Sequence, residues 1–313
     1  MTDVHQRIRA RRTIRGMSAI LLPMTDEGAI DWTAFEAHLR HTCEAGLTPA
    51  VNMDTGYVQL IDEGARKRVL EIAAACTAGD FVAGAYCPDR PGDPFDPDAY
   101  ERAIQQVTRA GGTPVVFPSH GLNALGPEEW VAAHRGFGRA CDRFIGFELG
   151  EMFVPYGRIY PLATYEELIR IPACIGAKHS SLSRTEEWAR LEIRDRVRPG
   201  FRVLTGNDLA IDMVMFGSDY LLGLSTFCPD HFARRDAMWR DGDPRFYELN
   251  DILQYLGMFA FGDPVPGYRH DAAMFLHLQG RASSPTPYSG CPLRPESDRE
   301  ILGQILERLE RFA

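Results

Sequence analysis

The chain contains no Cys-x-x-C pair, no apolar run of bilayer length and no excess of positive charge. Its seven cysteines stand at 43, 76, 87, 141, 174, 228 and 291, an odd number without metal-site spacing. That scatter excludes a disulfide framework and speaks against a cysteine-held metal; free thiols in a reducing compartment are expected. With 34 basic and 43 acidic residues the net charge is −9, which argues against a nucleic-acid partner; the one basic cluster runs from Arg7 to Arg15. That opening stretch lacks the apolar core of a signal peptide, so a cytoplasmic protein with no membrane partner is expected. Low-complexity segments are also missing.

What is present is an ordinary soluble composition, 45% hydrophobic and 25% charged over 313 residues, and a steady alternation of short apolar runs with helical patterns. Ser18 to Pro23 reads as the first strand. A helix capped by Asp31 follows, carries Phe35, Leu39 and Cys43 on one face and stops at Gly46. Ala50 to Met53 is the second strand. It leads to Asp54-Thr55-Gly56 and a helix capped by Asp62 that ends at Gly79. Further strands are expected over 81–86, 113–117, 144–149, 173–178, 201–204 and 220–224. Pro127 suits a helix first turn, and capping boxes begin at Thr164 and Ser183. Eight strand-then-helix units in about 230 residues point to an α/β fold, a (β/α)8 barrel spanning 1–229. Residues 230–313 read as helices only, a C-terminal extension packed on the barrel. The Pro- and Asp-rich stretch 88–97 is long for a barrel loop and reads as a solvated insertion or a lid.

The stretch Ile171-Pro-Ala-Cys-Ile-Gly-Ala-Lys178-His-Ser-Ser carries the chemistry. Its continuous apolar run fits a parallel strand buried on both faces, and Lys178 falls at the C-terminal end, where barrels place their active sites. An amine among apolar neighbours loses the solvation of its charged form, and a neutral amine is what adds to a carbonyl group.

Several stretches together resemble one family. They are Leu22-Pro-Met-Thr-Asp-Glu-Gly-Ala-Ile-Asp-Trp, Asp54-Thr-Gly followed by Asp62-Glu-Gly-Ala-Arg66, Ile175-Gly-Ala-Lys178, Leu204-Thr-Gly-Asn-Asp208 and Gly223-Leu-Ser. In order and spacing they are similar to the dihydrodipicolinate synthase and N-acetylneuraminate lyase family of Schiff-base-forming aldolases. The resemblance runs from about Arg15 to the C-terminus. It implies a homotetramer or homodimer, a 2-oxo acid or aldehyde as the small-molecule partner, and no cofactor beyond a covalent imine on Lys178. Thr55 and Gly56 fall on the loop whose backbone N–H groups hold the substrate carboxylate. Asn207 and Ser225 fall near the mouth. For Asn207 and Asp208, helix capping is the stronger of the two readings.

The departures are local. Where that family has a proton-relaying tyrosine at the end of strand five, this chain reads Phe144-Ile-Gly-Phe147-Glu148-Leu-Gly-Glu151, and Asp54 replaces the tyrosine's threonine partner. Strand alternation turns only one of Phe147 and Glu148 inward. Burying the phenylalanine outward favours an inward Glu148, and beside Asp54 one carboxyl of the pair is expected to hold a proton and serve as general acid. Tyr156 or Tyr160 folding over the mouth is an alternative relay, and Glu148 paired to Arg158 is the inert one. His120 is a candidate substrate contact, whereas His179 should point into the barrel–helix layer. The reading is a lyase of aldolase or dehydratase type. Its rivals are a catalytically silent metabolite-binding barrel and a metal-assisted aldolase or hydrolase drawing on Asp54, His120, Glu148 and His179.

Overall fold

The structure is a computed structural model that describes residues 4–77 and 80–312, so the helix stop expected at Gly79 lies outside the described residues. Eight strands close into one parallel barrel in sequence order. The first half runs β1 (Gly16–Ala19), α1 (Trp32–Glu44), β2 (Thr48–Val51), α2 (Glu63–Thr77), β3 (Val82–Ala85), α3 (Pro97–Arg109) and β4 (Thr113–Val116). Next come α4 (His120–Ala124), α5 (Pro127–Phe137), β5 (Phe144–Leu149), α6 (Leu162–Ile169), β6 (Cys174–Ser180), α7 (Arg184–Val197), β7 (Arg202–Thr205) and β8 (Asp219–Leu222). After them stand α8 (Pro229–Asp241), α9 (Arg245–Ala260), α10 (Tyr268–Leu278) and α11 (Asp298–Leu309).

Local chemistry sets most of these boundaries. Asp31, Asp62 and Ser183 each accept an N–H from the first turn of α1, α2 and α7, at 2.9, 2.7 and 3.3 Å. Gly46 adopts φ +90° after α1, a conformation that a side chain would strain. Several boundaries differ from the sequence reading, β2 among them, which spans Thr48–Val51 instead of 50–53. β1 begins two residues earlier than expected, because Gly16 to Ser18 pair with Tyr220 to Leu222 of β8. Helix α6 starts at Leu162 behind Pro161, so Thr164 lies inside its first turn instead of capping it. The segment after β7 winds as a 3-10 helix over Ile211–Phe216.

The chain forms two compact units. One comprises the chain through Pro49, Thr55–Tyr57 and everything from Asp208 onward; the other comprises Ala50–Asp54 and Val58–Asn207. This division does not follow the 229/230 boundary drawn from the sequence. In the first unit α8 packs against α1 and β1, which groups the C-terminal helices with the first and last strands. In the second unit β5 and β6 are the most extensively paired strands, with Phe147 opposite Lys178, Glu148 opposite His179 and Leu149 opposite Ser180. Arg198 secures the start of β6 by donating to the carbonyls of Ile169, Ile171 and Cys174 at 3.2, 2.9 and 2.8 Å. No helix among the described residues is long and apolar enough to cross a membrane.

Candidate active site

Lys178 is the penultimate inward residue of β6 and is 4% exposed. Its Nζ lies 3.7 Å from Asp54 Oδ1 and 4.5 Å from the ring centroid of Phe147. Phe147 in turn meets Phe117 edge-on at 5.4 Å, so the ammonium group rests on an aromatic floor with one carboxylate beside it. Of the residues singled out from the sequence, the structure brings Lys178 and Asp54 together.

Glu148 does not join them, which corrects the expectation of an inward acid. Phe147 takes the inward place and Glu148 turns into the layer between β5, β6 and α7, fully buried. There Oε1 accepts from Tyr160 N (2.9 Å) and Arg190 Nη2 (2.6 Å), while Oε2 meets His179 Nδ1 (2.9 Å) and Arg190 Nε (2.6 Å). Burial alone would push this carboxyl up, but the charges and hydrogen bonds of His179 and Arg190 outweigh it and hold it at about 2. Glu148 therefore stays ionised and cannot keep the proton of a general acid near neutral pH. The physical reason is Arg190: a two-pronged guanidinium on α7 rewards an outward carboxylate more than packing rewards an outward phenylalanine. Arg158 is not its partner, since Nη1 donates to the carbonyls of Asn123 and Leu125 at 2.8 and 2.9 Å. His179 occupies the outer layer as expected.

The remaining candidates separate by surroundings. The Thr55 hydroxyl shares a 2.8 Å hydrogen bond with Tyr268 Oη, and a Cβ on Gly56 would sit 3.0 Å from Ile20 O, so that turn is tightly backed. Ser225 is fully buried and its hydroxyl bonds Leu222 O and Ser18 Oγ at 2.9 and 3.0 Å. Its proton is therefore engaged inside the fold, which leaves the hydroxyl an acceptor only. Asn207 donates its backbone N–H to Thr205 Oγ1 at 3.1 Å, and Asp208 Oδ1 accepts from Leu224 N at 2.8 Å. The Asn207 bond is made by its backbone and Asp208 reaches a residue 16 positions further on, so neither side chain caps a helix that follows it directly. His120 opens α4, where Asp89 receives its N–H at 3.0 Å and that of Gly121 at 2.7 Å, and its ring lies 4.3 Å from that of Tyr156. Asp89 thereby anchors the 88–97 loop to α4. Tyr160 instead bonds the Asn123 side chain and lies tilted against Trp130, with ring centroids 3.9 Å apart. Among the described residues no three His, Cys, Asp or Glu side chains are placed to hold a metal ion. The four-ligand set considered from the sequence is split, with Glu148 and His179 committed to the outer layer.

Two residues at this site escaped the sequence reading. Ser180 is 1% exposed, and its Oγ has no hydrogen-bond partner among the described residues. On a strand, residues two apart share a face, so Ser180 shares that of Lys178; this was the available signal. Gly206 is the second: a Cβ there would clash with Ser180 Oγ and stand 2.8 Å from Lys178 Cε. The absent side chain leaves room for the lysine stem and the orphan hydroxyl.

No family model matches the chain, and no curated protein matches its sequence. Solved structures match over nearly the whole length. A dihydrodipicolinate synthase described as the first monomeric variant superimposes with TM-score 0.80 at 17% identity, covering 95% of this chain and 97% of that one. The dihydrodipicolinate synthase of Thermotoga maritima gives TM-score 0.78 at 18% identity, over 95% and 98% of the two chains. A prophage protein of the dihydrodipicolinic acid synthase family from E. coli K12, solved in complex with pyruvate, gives 0.75 at 16%, over 95% and 98%. The chain thus has the dihydrodipicolinate synthase fold, that of the family its sequence motifs resemble.

Proposed function

We propose that this protein is a lyase of aldolase or dehydratase type that binds a 2-oxo acid or related carbonyl compound as an imine of Lys178. The observation that carries the reading is the buried Lys178 amine at the C-terminal end of β6, with a carboxylate 3.7 Å away and the partnerless Ser180 hydroxyl on the same face. Proton transfer from Nζ to Asp54 leaves an amine that adds to the substrate carbonyl. The same carboxyl returns the proton as the carbinolamine loses water. The imine then draws electrons from the adjacent carbon, so a C–C bond breaks or forms there, or water leaves. Phe147 holds no proton, which moves the relay from β5 to the loop after β2. Ser180 supplies the hydroxyl that a bound carbonyl or hydroxyl oxygen needs in a dry site. The pyruvate complex of the E. coli K12 protein of the same fold supports a 2-oxo acid. Assembly as a homodimer or homotetramer is part of the proposal.

The test is intact-mass measurement after borohydride reduction in the presence of pyruvate and a panel of 2-oxo acids and aldehydes. One adduct is expected, on Lys178, and none in Lys178→Ala. An adduct that persists in that variant overturns the assignment. Complete absence of adduct with every compound favours the second reading, a silent metabolite-binding barrel, for which Phe147 in the relay position is the supporting feature.

A further inference from the structure

The outer side of β6 holds an arrangement that the imine chemistry does not use. Beyond the Glu148–His179 contact, His179 Nε2 lies 2.7 Å from Ser181 Oγ. The three side chains form a continuous line: hydroxyl, imidazole, carboxylate, with 2.7 and 2.9 Å between successive partners. One tautomer satisfies it throughout, with Nδ1–H donating to Glu148 and Nε2 accepting from the serine hydroxyl. Ser181 Oγ has another acceptor, Ser183 O, only at 3.5 Å, so its proton goes to the imidazole. Glu148 and His179 are fully buried, whereas Ser181 is partly exposed, which leaves the nucleophile as the reachable end.

We propose that Ser181, His179 and Glu148 form a second active site, an acyl-transfer triad that hydrolyses small carboxylic esters. Nucleophile, base and orienting carboxylate are recognised by these contacts and not by chain order. Glu148 is ionised and fixed by Arg190, so it keeps the ring orientation that a base requires. As Ser181 Oγ bonds to the ester carbonyl carbon, its proton passes to His179 Nε2. The alkoxide leaves with that proton when the tetrahedral intermediate collapses, giving acyl-Ser181 and an alcohol. Water, deprotonated by the same nitrogen, then releases the acid, so ester and water become acid and alcohol with no other reactant.

Two backbone features adjoin the serine. Leu182, next in the chain, holds φ +58°, a left-handed conformation unusual for leucine and of the kind found at functional turns. Helix α7 begins at Arg184 behind Ser183, whose Oγ caps it and whose own N–H donates to Ser181 Oγ at 3.0 Å, which fixes the position of the nucleophile.

The test uses the full-length protein with a fluorophosphonate probe and, separately, p-nitrophenyl acetate. A single phosphonyl adduct mapping to Ser181 is expected, together with p-nitrophenol release that falls by about a hundredfold or more in Ser181→Ala. Lys178→Ala should retain both, which separates this site from the imine reading. The absence of an adduct on Ser181 in the unmodified protein overturns the proposal without any variant. Ester hydrolysis unchanged in Ser181→Ala overturns it as well.

Discussion

Replacing Glu148 by glutamine removes a charge that the fold has surrounded with four hydrogen bonds, one from Tyr160 N, one from His179 and two from Arg190. The amide has nearly the same size, so packing is preserved and the loss is electrostatic. A guanidinium left in a buried layer without its carboxylate costs about 3–5 kcal/mol, a large part of the roughly 5–15 kcal/mol that holds a folded chain together. The acid dependence gives a second measure. The carboxyl is held at about 2, below its ordinary 4.5, which corresponds to on the order of 3 kcal/mol of linked stability. Because the folded value is depressed, that contribution is complete above the unfolded value and is lost as pH falls towards about 2. Urea unfolding of the parent and of Glu148→Gln at pH 7 and pH 3 reads both effects. The gap between the two proteins should be about 3 kcal/mol or more at pH 7 and clearly narrower at pH 3. A gap below about 1 kcal/mol at pH 7, or one that ignores pH, refutes the reasoning. Under conditions where the variant is folded, the borohydride adduct on Lys178 should still form, because Glu148 faces away from it.

Gly206→Ala would place a methyl group against Ser180 Oγ and 2.8 Å from Lys178 Cε. Trapping of the imine by borohydride should slow by about tenfold or more with circular dichroism unchanged; unaltered trapping would show that the lysine stem has room to spare. Asp54→Asn keeps the shape beside Nζ but removes the base, so turnover should fall by about a hundredfold or more; parent-like rates would place the relay elsewhere.

Much of the barrel could be read from the sequence because its signals are local. Apolar runs, Asp and Ser caps and glycine stops lie within a few residues of the boundaries they set, and Lys178 appears at the end of β6 for the same reason. The orientation of β5 could not be read that way. All six of its residues are buried, so the strand shows no polar face to distinguish inside from outside. The deciding partners, His179 and Arg190, are 31 and 42 residues further along, and Arg190 reads in isolation as an ordinary charged position on a helix. Ser180 was legible by alternation, but its lack of a partner is a property of the packed site. The tie between Glu187 and Thr205 (2.8 Å), which backs the strand-seven turn, is hidden for the same reason as that of Arg190.

The buried cluster of Glu148, His179 and Arg190 also constrains how this chain can vary over generations. A lineage that loses Arg190 first inherits a carboxylate with one charged neighbour missing, and one that loses Glu148 first inherits a stranded guanidinium. Either step crosses a deficit that few marginally stable proteins survive. Exchange of the whole set for apolar side chains of similar volume can be neutral, because the desolvation of all the charges disappears at once. Positions 148, 179 and 190 should therefore be passed on together or replaced together, and descendants carrying only part of the set should be rare.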